Sequence, residues 1–582
     1  MTSKTRPMLG WALLVSLCVL TMGARAQASG ELLISQRLLP DGALEITYTP
    51  PQGQRELTFF GAHRDAHKRW RGAAMKAVGH CTELLETGIR LRDAPDCLAA
   101  TVRLEARVLA LDAVYEPAQP LSDGSGVLAY SGHAAVLLKG QALRWRWMPP
   151  QGGVIIHQGR VERGPVEQRA TAEQVDQALA GAPFELTREI GAAQYVYLGS
   201  AKGLVAMAGG NLLLDPGLDA ARAERISKVL KYNLDRLARL YGVALPGPGA
   251  VVTAVSERPG FHGDTTFGRM MRLRLPSNAE TMPGATLERF VTHEVVHWWN
   301  SGVFNTDLQR PWLHEGHAEW MARLLLYEQG LLGDAELRAD IESNLNNCAA
   351  ARGSQVAAAM KPGRQGDDVY ACGMSLMLLG QAQRNEAERE TSAVGQMAPL
   401  HSTERTLDVK AFVDWADAGS SQAAMAQLLQ DSKQPFASGL LARLNGLGLA
   451  DAEEVERSEQ LPQGLRAKTA GTLMATLMAS DCDRSVSFWA LPNAFRLDPS
   501  VKCGSLKVGS EVITLGGIAV QADPVAAFAA VTSTCQQNLA IKVGYMDGTE
   551  TAMPCPKALP ALPVTKLIRL RSDALKRLRL TS

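Results

Sequence analysis

The stretch ATLERFVTHEVVHWWNSG, residues 285–302, decides how the chain is read. It sets two histidines, His293 and His297, one helical turn apart, with Glu294 beside the first. The apolar spacing predicts a helix that stops at Ser301-Gly302. At about 3.6 residues per turn, positions i and i+4 differ by about 40° around the axis. Both imidazoles then share one face and can reach a single ion at about 2.0–2.1 Å. Glu294 lies about 100° further round, where its carboxylate reaches a water held by that ion. Val291, Val295, Val296, Trp298 and Trp299 make the helix apolar nearly all round, so it is expected to be buried. A buried histidine pair without a partner is costly. His293 and His297 are therefore candidate metal ligands, and Glu294 a candidate catalytic base.

A zinc site needs a third protein ligand. An extended motif would put a histidine where Val303 stands, which excludes that arrangement. The next segment, RPWLHEGHAEWMARLLLYEQG, predicts a second helix with Pro311 in its first turn. Glu315 falls 18 positions after His297, and Glu319 one turn later on the same face. Glu315 is the expected third ligand. Glu319 is the expected acceptor for the outer N–H of a ligand histidine. His314 and His317 stand as rival ligands.

The residues His293, Glu294 and His297, followed by WLHEGHAEW, resemble the glutamate-zincin metallopeptidases. The aminopeptidase N family carries a Trp-Leu-Asn-Glu-Gly-Phe-Ala segment that is similar at Trp312, Leu313, Glu315, Gly316 and Ala318. The interval from the second histidine to the glutamate is one residue shorter here. The glycyl-aminopeptidase-like family continues its motif with His-x-Trp-Asn, matched by His297, Trp299 and Asn300. That family orders an N-terminal β-domain, a thermolysin-like catalytic domain and a C-terminal PDZ domain. The resemblance covers residues 285–385. It implies one zinc ion per chain and peptide or protein substrates. Both families place a tyrosine in a Tyr-x-x-Gly segment, which DDVYACGMSLMLLG supplies as Tyr370 and Gly373. Tyr370 is implied to donate a hydrogen bond to the oxyanion. One departure bears on specificity: GFHGDTTFGRMMRL has no glutamate where these families bind a substrate amine, and Asp264 is the carboxylate there. Aminopeptidase and endopeptidase readings both stay open.

Working outward, Lys4 and Arg6 precede the apolar run MLGWALLVSLCVLTMG, and Ala24–Ala26 closes it with a small-residue cleavage site. This reads as a signal peptide over residues 1–26, because the run is shorter than the ~20 residues of a spanning helix. The chain is expected to be exported, periplasmic or secreted, with no transmembrane segment after cleavage. A net charge of +1 gives no ground for a nucleic-acid partner. Cys18 aside, the cysteines fall in neighbouring pairs: 81 with 97, 348 with 372, 482 with 503, 535 with 555. Four local disulfides are expected, each contributing about 3 kcal/mol in the chain-entropy picture.

The expected fold class is multidomain α+β. Residues 27–200 alternate like strands between turns and form a β-rich N-terminal domain. Residues 201–465 form the thermolysin-like zinc metallopeptidase domain, helical from about 285 to 460. Within it, Arg272 and Arg274 face one way and Leu273 and Leu275 the other. That pattern, closed by Pro276, marks strand 268–275 as a sheet edge on which a peptide substrate adds as a further strand. Residues 466–565 turn strand-like near 470 and are similar in order to a PDZ domain, with an Asp-Gly hairpin in NLAIKVGYMDGTETAMP. The basic tail, 566–582, reads as an amphipathic helix packed on that last domain. Two functions follow: an exported zinc metallopeptidase, or a catalytically silent zinc-bound scaffold that binds peptides through its PDZ-like domain.

Overall fold

The computed structural model describes residues 30–61, 65–107, 118–181, 189–256, 262–266, 269–277, 285–352, 368–387, 393–402, 405–418, 424–430, 433, 435–499, 501–559 and 562–580. The signal-peptide reading of residues 1–26 lies outside them.

Alternation builds the N-terminal sheets. In Leu44–Thr49 every second residue is buried, and Leu44, Ile46 and Tyr48 share one face. That strand sits in a six-stranded sheet with Glu31–Leu38, Ala142–Met148, Val166–Ala170, Ala100–Leu104 and Met75–Val78. A second, five-stranded sheet runs Arg160–Glu162, Val154–His157, Tyr195–Gly199, Gly126–Tyr130, Ala118–Pro120. One apolar cluster joins its Leu128, Ile156 and Tyr197 to Leu213, Val252 and Met270 of the next sheet. The β-rich region thus forms one wall of the unit that follows.

That next sheet has the order Leu204–Met207, Gly210–Leu213, Gly249–Ser256, Met270–Pro276, His262–Thr266. Gly210–Leu213 and Gly249–Ser256 are parallel, so a crossover must join them, and the Ala220–Tyr241 helix supplies it. Asp219 caps that helix by accepting from the Arg222 amide, and Gly242 ends it at φ +64. The expectation of an edge at strand 268–275 is corrected here. Met270–Pro276 pairs with Gly249–Ser256 on one side and with His262–Thr266 on the other. The edge is His262–Thr266. The polar face of Met270–Pro276 misled the reading: Arg272 is buried, and its guanidinium is neutralised by Asp264 at 3.0 Å.

The helices pack on the opposite face of this sheet as one core with Val291, Leu313, Leu345, Met374 and Leu440. Beyond it, Gln463–Asp481 is a helix and the first strand begins at Phe488, later than the strand-like texture near 470 indicated. Buried Leu465, Thr469, Leu473 and Leu477 follow a helical period. Strands Phe488–Ala490, Phe495–Leu497, Glu511–Leu515, Ile541–Tyr545 and Glu550–Met553 form a sheet against the Pro524–Gln536 helix. The tail also departs from expectation. Lys566–Leu570 is a strand paired antiparallel with Ala450–Glu454, and among the described residues of the tail only Ala574–Arg577 is helical. Its Ile568, Leu570 and Leu575 join the core of the preceding helical unit rather than the last sheet.

All four expected disulfides are present: Cys81–Cys97, Cys348–Cys372, Cys482–Cys503 and Cys535–Cys555. Among the described residues no helix is long and apolar enough to cross a membrane.

Candidate metal centre

The motif helix, Thr286–Asn300, is buried along almost its whole length. Its rotation is set by polar ties as well as by apolar packing. Trp298 Nε1 donates to Thr265 Oγ1 at 2.8 Å and Trp299 Nε1 to the Val243 carbonyl at 2.9 Å. Asn233 Nδ2 donates to Thr292 Oγ1 at 2.8 Å, and Arg225 Nη2 to Glu288 Oε2 at 2.7 Å. Trp298 also packs so closely on Gly249 that a Cβ there would meet its ring at 2.2 Å. With Trp298 turned to the sheet and Trp299 to the loop at Val243, His293 and His297 face the companion helix, Pro311–Glu328.

Two motif glycines set the depth of this second helix. A Cβ on Gly316 would meet the Gly373 backbone at 2.2 Å, and one on Gly373 would meet the Trp312 carbonyl at 2.4 Å. The companion helix and the Asp368–Ala387 helix cross at these positions with no room for side chains. The crossing places Glu315 and Tyr370 near one another's helix. The Cys348–Cys372 bridge ties the same crossing to the Asp334–Arg352 helix.

Three donor atoms converge. His293 Nε2 lies 3.0 Å from His297 Nε2, and Glu315 Oε2 lies 3.2 Å and 3.1 Å from these two nitrogens. All three side chains are buried. Bonds of 2.0–2.1 Å in a tetrahedral shell set ligand atoms about 3.3 Å apart, close to what is seen. The outer atoms are held as well. His293 Nδ1 is 3.1 Å from Glu319 Oε1, and His297 Nδ1 is 3.1 Å from Asn300 Oδ1. Glu315 Oε1 has His314 Nε2 at 3.3 Å. With protons on both outer nitrogens, three lone pairs meet at the centre, an arrangement that a proton or a divalent cation relieves. The donor set fits such a cation.

The charges agree with this. Burial opposes a charge on His293, but the bonds to Glu315 and Glu319 outweigh it and carry the ring up to about 10. Burial likewise opposes the charge on Glu315, yet His297 and the other surrounding histidines hold it well below the usual carboxylate range. Glu319 is held low against its own burial by Arg323 and then His293. Glu294 differs: burial raises its carboxyl, and His293 and His297 offset only part of the rise.

The structure brings His293, His297, Glu315 and Glu319 together and sets Glu294 in the same buried region. The Tyr370 ring centroid is 5.9 Å from that of His293, and the side chain is 38% exposed at the rim. His314 touches the far oxygen of Glu315, whereas His317 turns away to Asn300 and Tyr241. Neither belongs to the three-atom cluster. Sequence reasoning missed Asn300 and Arg323 as supporting residues. Asn300 stands one turn beyond His297, a signal that was readable. Arg323 contacts Asp340 Oδ2 at 2.7 Å, a partner on another helix that no spacing announces.

No protein-family model matches the sequence, and no curated protein matches it. Among solved structures the chain is similar to an aminopeptidase N family protein from Idiomarina loihiensis, at 14% identity and a TM-score of 0.54, over 95% of this chain and 100% of that one. An M1 zinc metallopeptidase from Deinococcus radiodurans aligns at 11% identity and a TM-score of 0.37, over 70% of this chain and 94% of that one. Yeast LTA4 hydrolase aligns at 10% identity and 0.38, over 77% and 73%. Over 95% of its length the chain is thus similar in fold to the Idiomarina aminopeptidase N family protein.

Proposed function

We propose that the chain is an exported zinc-dependent metallopeptidase with one zinc per chain, held by His293, His297 and Glu315. The observation that carries the reading is the convergence of two imidazole nitrogens and one carboxylate oxygen within 3.0–3.2 Å. Zinc bound there supplies Lewis-acid polarisation of the scissile carbonyl and a water acidic enough to ionise near neutral pH. Glu294 takes up that proton on its carboxylate and passes it to the leaving amine. Its upward shift by burial suits a group that must hold a proton between two steps. Tyr370, at the rim, donates from its hydroxyl to the developing oxyanion. Glu319 orients His293 and keeps its lone pair aimed inward. The substrate backbone adds along the outer side of His262–Thr266, the edge strand.

The reading extends to an aminopeptidase through Asp264 on that strand. Its Oδ2 accepts from Tyr195 and Arg272, each at 3.0 Å. Its Oδ1 is buried and, among the described residues, bears no hydrogen-bond partner. We assign residues 27–200, 201–465 and 466–565 to the β-rich, catalytic and PDZ-like units. The four disulfides support export. A second reading, a silent zinc-bound scaffold, draws on the edge strand Phe488–Ala490 with Trp489 exposed, a site for peptide addition.

Metal analysis of the purified protein beside Glu294→Gln separates the two. About one zinc in each, with turnover of peptides about 10²–10⁴-fold slower in the variant, is the expected outcome. A metal-free protein ends the metallopeptidase reading, and equal rates end the role of Glu294. Loss of turnover on acetylated peptides marks the aminopeptidase.

A further inference from the structure

Asn300 is fully buried, and every polar atom of its side chain is engaged. Its Nδ2 lies 2.9 Å from the His314 carbonyl oxygen and 3.2 Å from His317 Nδ1, and its Oδ1 lies 3.1 Å from His297 Nδ1. The carbonyl decides the rest. A backbone carbonyl only accepts, so the amide nitrogen must face His314 and the amide oxygen must face His297. An amide oxygen also only accepts, so His297 Nδ1 must carry a proton. In the neutral ring that leaves Nε2 as a bare lone pair, and Nε2 is the atom that faces His293 and Glu315. The second amide hydrogen goes to His317 Nδ1, which places the His317 proton on Nε2, 3.2 Å from the Tyr241 hydroxyl.

We infer that Asn300 is a positioning residue: through it, the carbonyl of His314 on the companion helix fixes the tautomer of His297 on the motif helix. The inference rests on the zinc reading of the site. Docking of the two helices and readiness of the ligand are then one event, because the carbonyl reaches Asn300 only when the helices are packed. The two ligand histidines are held by unlike means. A carboxylate, charged and backed by Arg323, holds His293. A neutral amide, backed by a peptide carbonyl, holds His297.

The test uses the full chain and zinc itself. Nitrogen NMR of the metal-free wild type at mildly alkaline pH is expected to show His297 protonated on Nδ1. Asn300→Leu removes the acceptor and lets the ring take the Nε2–H form. Competition with a chelator is expected to show a 10–100-fold loss of zinc affinity. Asn300→Asp keeps an oxygen for Nδ1–H and is expected to retain most of the affinity, although it loses the bonds to His314 and His317 and is less stable. A loss in Asn300→Asp as large as in Asn300→Leu reduces Asn300 to packing and overturns the inference. Wild-type affinity in Asn300→Leu, or an Nε2–H ring in the wild type, overturns it as well. If Asn300→Leu does not fold, the wild-type tautomer alone decides. A wild type that binds no zinc while its His297 carries the Nδ1 proton counts against the zinc reading and not against the hydrogen-bond assignment.

Discussion

The two site histidines of the motif helix meet their polar partners on that helix and on the one that follows, whereas the tail strand Lys566–Leu570 meets its own on Ala450–Glu454. His297 bonds Asn300 one turn on, and His293 bonds Glu315 and has Glu319 at 3.1 Å. In the tail, Lys566 pairs with Glu454, Arg569 with Glu453 and Arg571 with Asp451, each at 2.8 Å and across a whole intervening unit. Both segments mix apolar residues with charge. They differ in where the charge is spent: buried and inward in the first, exposed and across a ribbon in the second. Local, buried polarity makes chemistry and is expected to be costly to disturb. Distant, exposed polarity fixes register and is expected to cost little.

The largest expected effect comes from the buried end of the site. Arg323 is buried, with Glu319 on one side and Asp340 on the other. Arg323→Met takes from Glu319 its buried cation and leaves Asp340 with Arg289 alone, at 2.9 Å. Removing one partner of a buried pair costs about 3–5 kcal/mol. Urea denaturation of the metal-free protein should show a loss of that size, together with weakened zinc binding because Glu319 no longer orients His293. A change under about 1 kcal/mol would place this pair with the tail's exposed ones and erase the contrast.

This contrast also explains what could be read in advance. Helical spacing related His293, Glu294 and His297 on one helix and Glu315 and Glu319 on the next, and the family resemblance, not spacing, joined the two sets. The four disulfides were equally legible, since each closes a short loop between neighbouring cysteines. Strand 268–275 was misjudged because its neighbour in the sheet, His262–Thr266, covers an edge that alternation cannot distinguish from a free one. The tail was misjudged because KLIRLR carries both a helical and a strand period. Its choice is made by Asn346, which accepts from the Ile568 amide at 2.8 Å and donates to its carbonyl at 2.9 Å. Neither contact has a trace in local sequence.

His401 falls between the two cases: buried beside the site, yet supplied by a distant segment. Its ring stacks on Phe304 and meets His317 edge-on. Burial lowers its pKa from 6.5 to about 3. The unfolded chain binds a proton below pH 6.5 and the folded one does not until about 3, so stability from this group is full above 6.5 and is lost as pH falls through that window. At pH 5 the loss amounts to roughly 2 kcal/mol. His401→Phe keeps a ring against Phe304 and should flatten the acid limb of the stability curve between pH 7 and 5, measured by denaturation at a series of pH values. An acid limb as steep as the wild type's would show that other groups carry it.

The smallest effect belongs to the tail. Arg569 approaches Glu453 at 2.8 Å and Glu342 at 3.5 Å, but its side chain is 39% exposed. Solvent screens such pairs, and exposed ion pairs contribute only about 0.2–1 kcal/mol. Arg569→Ala should therefore lie near the lower end of that range in urea denaturation, with zinc affinity unchanged. Strand pairing and the burial of Ile568 and Leu570 in the helical core remain to hold the tail in place. A loss approaching that of Arg323→Met would mean that the ribbon's charges do more than set register. The distinction between a polar network that makes a site and one that closes a fold would then have to be drawn elsewhere in the molecule.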